Sequence, residues 1–122
     1  MIDAVVAPTP IPGPEDFIER MPNVRWAVVP IEGATAVYWE FAPGATVPRH
    51  NHYHAQLLIV LQGSIDLIFD DKTVTVSAGQ LLSIPPYQFH AAAVQAPMRV
   101  VDIFVPKREE YEEEYAAQRG PA

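Results

Sequence analysis

The sequence predicts an all-β fold, an antiparallel sandwich or barrel, on two observations: six short apolar runs crowd the stretch from Ala34 to Pro106, and turn-forming residues separate them. The runs are ATAVYWEF (34–41), AQLLIVLQG (55–63), SIDLIFDDK (64–72), TVTVSAG (73–79), QLLSIPP (80–86) and MRVVDIFVP (98–106). Ala42-Pro43-Gly44 breaks the chain after the first run. Gly63 and Asp70-Asp71-Lys72 sit where hairpins should reverse. Ahead of these runs, Pro8, Pro10, Pro12 and Pro14 predict an extended arm, and EDFIERM (15–21) allows at most one or two helical turns. Behind them, REEYEEEYAAQRGPA has helix-forming composition with Gly120-Pro121 as its stop, and Arg108 and Glu112 are four apart, the spacing of a pair on one helix face. With 122 residues, 49% of them apolar, the chain reads as a single domain over 1–122: an N-terminal arm (1–33), a strand-rich core (about 35–106) and a tail (107–122).

Composition removes several classes of function. There are no cysteines, which excludes a disulfide framework, an iron–sulfur cluster and a thiolate zinc site, and suits a cytoplasmic protein. No apolar run reaches the roughly 18 to 20 residues that span a bilayer, and the N-terminus lacks the basic and apolar regions of a secretion signal. A membrane partner is therefore not expected. Eight Lys and Arg against fifteen Asp and Glu give a formal charge of −7, with no basic cluster to meet a phosphate backbone, so nucleic acid is not expected either. An anionic small molecule stays open, because one dication and one well-placed arginine set the local potential whatever the net charge.

All four histidines fall in two short segments, RHNHYHAQ with His50, His52 and His54, and PPYQFHAA with His90. Imidazole is the commonest metal ligand in proteins, and a chain without thiols has few other donors for a transition metal. His50, His52, His54 and Gln56 are two residues apart, so in an extended strand they share one face. The apolar run LLIVL (57–61) follows at once and places the cluster at the mouth of a buried element.

These residues carry a family resemblance. Gly44-ATVPR-His50-N-His52-YHA-Gln56-LLIVLQ-Gly63 resembles the first cupin motif, with Gln56 where the family usually has glutamate, and Gly79-QLLSI-Pro85-P-Tyr87-QF-His90 resembles the second. Tyr87 replaces a usual glycine and Val94 a usual asparagine. The resemblance covers about residues 35–106 and implies a double-stranded β-helix, the cupin or jelly-roll barrel, commonly dimeric and with a metal inside. A homodimer with Met1 to Pro14 or the flanking strands at the interface is the corresponding expectation. Two segments far apart in sequence would each contribute inward imidazoles to a small closed lumen, which makes His50, His52, Gln56 and His90 the expected ligands. His54 shares their parity but matches no ligand position of the family; it is expected to touch substrate or support a ligand, or else to be a rim histidine.

An all-neutral shell leaves the charge of a dication uncompensated and favours Lewis-acid chemistry; nickel, zinc, manganese and iron all suit imidazole donors. In MRVVDIFVPKR, Val100, Asp102 and Phe104 share one face and Val101, Ile103 and Val105 the other, so one carboxylate interrupts an apolar strand. Such a group is a candidate general acid or base, unless it pairs with Arg99 or Arg108. Arg108, just beyond the strand, suits bidentate capture of a carboxylate. RHNHYHAQ, the DIFVPKR ending and the small size are similar to the KdgF group of cupins, which act on unsaturated uronates from pectin and alginate breakdown. Ala55 stands where that group often carries glutamate. The resemblance implies His50, His52, Gln56 and His90 on the metal, and Asp102, Phe104 and Arg108 acting on a sugar acid as a cyclic 4,5-unsaturated uronate becomes its linear ketone. A metal-dependent dioxygenase, a polyketide cyclase-like cupin with a lumen lined by Tyr38, Trp39 and Tyr87, and a ligand-binding barrel without turnover are the alternatives.

Overall fold

The computed structural model describes residues 6–121; the first five residues of the expected dimer-contacting arm lie outside that range. Ten strands run β1 Ile18–Met21, β2 Val24–Ile31, β3 Ala34–Phe41, β4 Thr46–His50, β5 Ala55–Gln62, β6 Ser64–Ile68, β7 Thr73–Ser77, β8 Leu81–Ile84, β9 His90–Ala93 and β10 Met98–Val105, followed by helix α1 at Glu109–Arg119. They form a six-stranded sheet in the order β1-β2-β3-β10-β5-β8 and a four-stranded sheet in the order β4-β9-β6-β7, with antiparallel pairing throughout. The arrangement is that of the expected jelly-roll barrel.

Period-two alternation positions the lumen. Val24, Trp26 and Val28 of β2 point inward, as do Val37, Trp39 and Phe41 of β3, Leu58 and Val60 of β5, and Val100 and Phe104 of β10, and all belong to one buried cluster. That alternation corrects the expected arm over 1–33, since β1 and β2 lie within it and extend the six-stranded sheet. Proline richness before residue 15 hid the strand signal in VRWAV. Of EDFIERM only Glu15 and Asp16 are helical, in a three-residue 3-10 turn at Pro14–Asp16. The reversal into β2 uses Asn23 at φ 67°, a left-handed conformation asparagine tolerates better than most residues.

Gly63 is a link between sheets and not a hairpin turn, because β5 and β6 belong to different sheets. Its φ is +76°, and a Cβ there would stand 2.5 Å from the Pro97 carbonyl oxygen. Replacing Gly63 with alanine is therefore expected to destabilise the fold by at least about 1–3 kcal/mol, the usual cost of a left-handed non-glycine residue. Chemical denaturation of the variant would read this directly; a midpoint equal to wild type would contradict it. The Asp70-Asp71-Lys72 turn does close a hairpin, β6 to β7, with Phe69 N–H donating to Lys72 O at 2.8 Å.

Helix α1 buries no residue fully, so polar links hold it to the sheet. Trp26 Nε1–H donates to Gln118 at 2.6 Å, the Thr35 hydroxyl donates to Glu112, and Lys107 pairs with Glu112 at 3.0 Å. Arg108 pairs with Glu110 at 2.8 Å and not with Glu112, because Glu112 turns toward Thr35 and Lys107. Tyr111 and Tyr115 meet the Trp26 ring edge-on, with centres 5.2 and 6.1 Å apart.

Candidate functional site

His50 ends β4 and His90 opens β9, and the two are direct cross-strand partners with ring centres 4.3 Å apart. His52 follows in the link 51–54, which is not a strand, and Gln56 lies in β5 of the other sheet. The expected four-residue strand face is thus corrected: the link joins the two sheets, and its bend carries His52 toward His50 and His90. One nitrogen from each of these three histidines lies within 4.8 Å of the other two. His54 is left out of that group.

Backbone carbonyls fix all three rings. Nδ1 of His50 meets Pro48 O at 2.8 Å, Nδ1 of His52 meets His54 O at 3.1 Å, and Nδ1 of His90 meets Gln88 O at 2.8 Å. A carbonyl only accepts, so each Nδ1 carries a proton, and in the neutral ring Nε2 is the nitrogen that presents a lone pair. Locking the tautomer through a bond to the other ring nitrogen is the usual support for a metal-binding imidazole. Gln56 Oε1 stands 3.1 Å from His52 Nε2, so with the amide in this orientation two lone-pair atoms face each other, a juxtaposition that a cation relieves. Burial pushes His52 down to about 4, helped by the positive charge of Arg108 and by competition with the neighbouring His90, and burial likewise lowers His90. Neutral imidazole is the form a metal needs. His50, His52, Gln56 and His90 therefore fit a divalent transition metal, and their donor set leaves its identity open.

Asp102 sits at the centre of the six-stranded sheet, opposite Val37 on one side and Leu58 on the other, and is 7% exposed. Neither expected arginine pairs with it: Arg99 pairs with Glu40 at 3.7 Å and Arg108 with Glu110. Trp39 Nε1–H donates to Asp102 Oδ2 at 2.9 Å, while Oδ1 is buried with no partner among the described residues. Burial raises the carboxyl to about 6, against the lowering pull of Gln56, Trp39 and Arg108. Asp102 lines the same cavity as His50, His90, Gln56, Phe104 and Arg108.

Phe104 is 2% exposed, and its ring meets His52 edge-on with centres 5.5 Å apart. The Arg108 guanidinium stands 4.8 Å from the Phe104 ring centre and 3.7 Å from that of Tyr111. His54 is 2% exposed, which rules out a solvated rim position; its carbonyl supports His52, and both ring nitrogens are buried without partners among the described residues. Of the aromatic residues expected in the lumen, only Trp39 lines it. Tyr38 lies on the opposite face of β3, and Tyr87 is 65% exposed at φ 65°, in the left-handed conformation that favours glycine. Tyr87 instead steadies the ligand link, its N–H donating to His52 O at 2.8 Å and its carbonyl accepting from Asn51 Nδ2 at 3.1 Å. Val94 is core. Sequence reasoning missed Arg20 and Tyr111, both of which line the cavity; nothing in the apolar pattern marks either one.

The Cupin domain family profile matches residues 37–104. Among solved structures, KdgF from Halomonas sp. is similar at 26% identity and a TM-score of 0.74, over 79% of this chain and 92% of that one. An RmlC-like cupin from Shewanella frigidimarina is similar at 24% identity and a TM-score of 0.72, over 78% and 86% of the two chains. AerE from Microcystis aeruginosa is similar at 23% and 0.68, over 73% and 44%. No curated protein sequence matches significantly.

Proposed function

The chain belongs to the cupin domain family, and from the contents of its cavity we propose that it is a metal-dependent enzyme of the KdgF kind, converting a cyclic 4,5-unsaturated uronate to its linear ketone. One observation carries the reading: a buried carboxylate, Asp102, with an oxygen unpartnered among the described residues, shares a cavity with histidines whose Nε2 atoms converge and with a partly buried arginine. Each part answers a need of the reaction.

A bound divalent metal supplies Lewis acidity to sugar oxygens, undiminished by any carboxylate in its shell. Arg108 holds the uronate carboxylate, with its guanidinium plane set by Glu110 behind it and by the Phe104 and Tyr111 rings beside it. The hemiacetal hydroxyl at C1 loses its proton, C1 becomes the aldehyde, and the C1 to ring-oxygen bond breaks to leave an enol at C5. The enol then becomes the C5 ketone as C4 gains a proton. Asp102 is the group placed to carry it: Oδ1 has no hydrogen-bond partner among the described residues, Trp39 fixes Oδ2, and a carboxyl raised to about 6 exists in both forms near neutral pH. Phe104 packs beside both and keeps water from the enol.

A ligand set without a carboxylate departs from the two-histidine, one-carboxylate pattern of iron oxygenases, which places the uronate reading ahead of the dioxygenase one. The test is to incubate metal-quantified protein with unsaturated galacturonate and follow the ultraviolet absorbance of its conjugated double bond. Chelator-sensitive loss faster than the uncatalysed rate is the expected result. No acceleration at full metal occupancy would overturn the assignment.

A further inference from the structure

The cavity holds a second guanidinium for which the uronate carboxylate gives no task. Arg20, in β1, lines it together with Asp102 and Arg108. Its guanidinium carbon stands 4.5 Å from the Trp26 ring centre and 4.7 Å from that of Tyr111, the same ring that Arg108 approaches to 3.7 Å. One tyrosine thus braces two arginines that arrive from opposite ends of the chain.

Helix α1 supports both in the same way. Glu110 accepts from Arg108 Nε at 2.8 Å, and Glu114, one turn further along, accepts from Arg20 Nε and Nη2 at 2.9 and 3.2 Å. A carboxylate on Nε fixes the guanidinium plane and leaves Nη groups outside the pair: both on Arg108, and Nη1 on Arg20. The arginine side chains are 11% and 20% exposed, whereas Glu110 and Glu114 are 59% and 40% exposed and screened by water. Lining the cavity, two largely buried cations and a neutral donor set suited to a dication are accompanied by a single carboxylate, Asp102. One monoanion leaves that charge unbalanced.

We propose that Arg20 is a second anion-binding group of this cavity, so that the site prefers acids with negatively charged oxygens at both ends over simple monoacids. The inference rests on reading this cavity as the ligand site; under the uronate assignment Arg20 meets the C1 oxygen, at the end of the sugar remote from the carboxylate, which gains negative charge as its proton leaves. Adipate and hexanoate, diacid and monoacid of equal carbon number, separate the two cases, and adipate is too long to chelate a metal in a small ring. Titration calorimetry of the metal-loaded protein is expected to give adipate at least about tenfold tighter binding than hexanoate, the worth of one charge-assisted hydrogen bond. That ratio should collapse toward one in Arg20→Gln and persist in Arg20→Lys. Equal affinities in wild type, no adipate binding, or an undiminished ratio in Arg20→Gln would each overturn the proposal. If Arg20→Gln loses its metal or its fold, the wild-type ratio and Arg20→Lys decide. Failure of uronate turnover alongside an intact adipate preference would overturn the substrate assignment alone.

Discussion

Alanine in place of His52 is expected to leave the protein folded, without stoichiometric metal after dialysis, and with turnover lowered by more than about 100-fold, beyond what loss of a ligand-supporting contact alone costs. His52 is central to the donor set. Its ring lies 5.7 Å from that of His50 and 5.3 Å from that of His90, and its Nε2 faces Gln56. Removing it leaves two imidazoles from one cross-strand pair and an amide on the other sheet, a set too sparse to retain a dication. Elemental analysis and circular dichroism read the two halves of the prediction. One metal ion per chain in the variant would contradict the ligand assignment.

Asparagine at Asp102 is the second large effect. The amide keeps the shape of the carboxylate and an oxygen for the Trp39 indole, but it does not exchange a proton at the reacting carbon. Turnover is expected to fall by about 10²–10⁴-fold, the range for loss of a general acid or base, with metal content unchanged. The fold should not suffer. A carboxyl raised from 3.8 to about 6 favours the folded state below pH 4, and that contribution is lost as pH rises through 6. At pH 7 the variant is therefore expected to be at least as stable as wild type, which separates loss of chemistry from loss of structure. Turnover within a few-fold of wild type would remove Asp102 from the proton-transfer step.

Much of this architecture was legible in the residues because barrels rest on period-two patterning. Runs such as LLIVL and MRVVDIFV announce strands, and the face that Asp102 shares with Phe104 in the structure is the one the alternation predicts. Convergence of His50, His52 and His90 was legible too, though for a different reason than spacing along one strand. What joins them is a bend between two sheets, and bends are set by tertiary contacts such as the Tyr87 to His52 bond. The tautomer lock was invisible for the same cause: it depends on where the Pro48, His54 and Gln88 carbonyls point. Arg20 and Tyr111 were hidden more deeply. A strand masked by prolines carries one, and a helix of surface-like composition carries the other. Pairing of β1 with β2 brings the first to the cavity, and docking of α1 on β2 brings the second.

The central claim is that this cavity converts the uronate by delivering a proton to C4 from a fixed carboxyl. The most direct measurement is to run the reaction in deuterated water and read the early product by proton NMR. The account predicts one deuterium at C4 in a single configuration in wild type, because Asp102 Oδ1 holds one position beside the enol. An equal mixture of the two C4 configurations at an enzyme-accelerated rate would contradict it, since the proton would then come from solvent and not from Asp102.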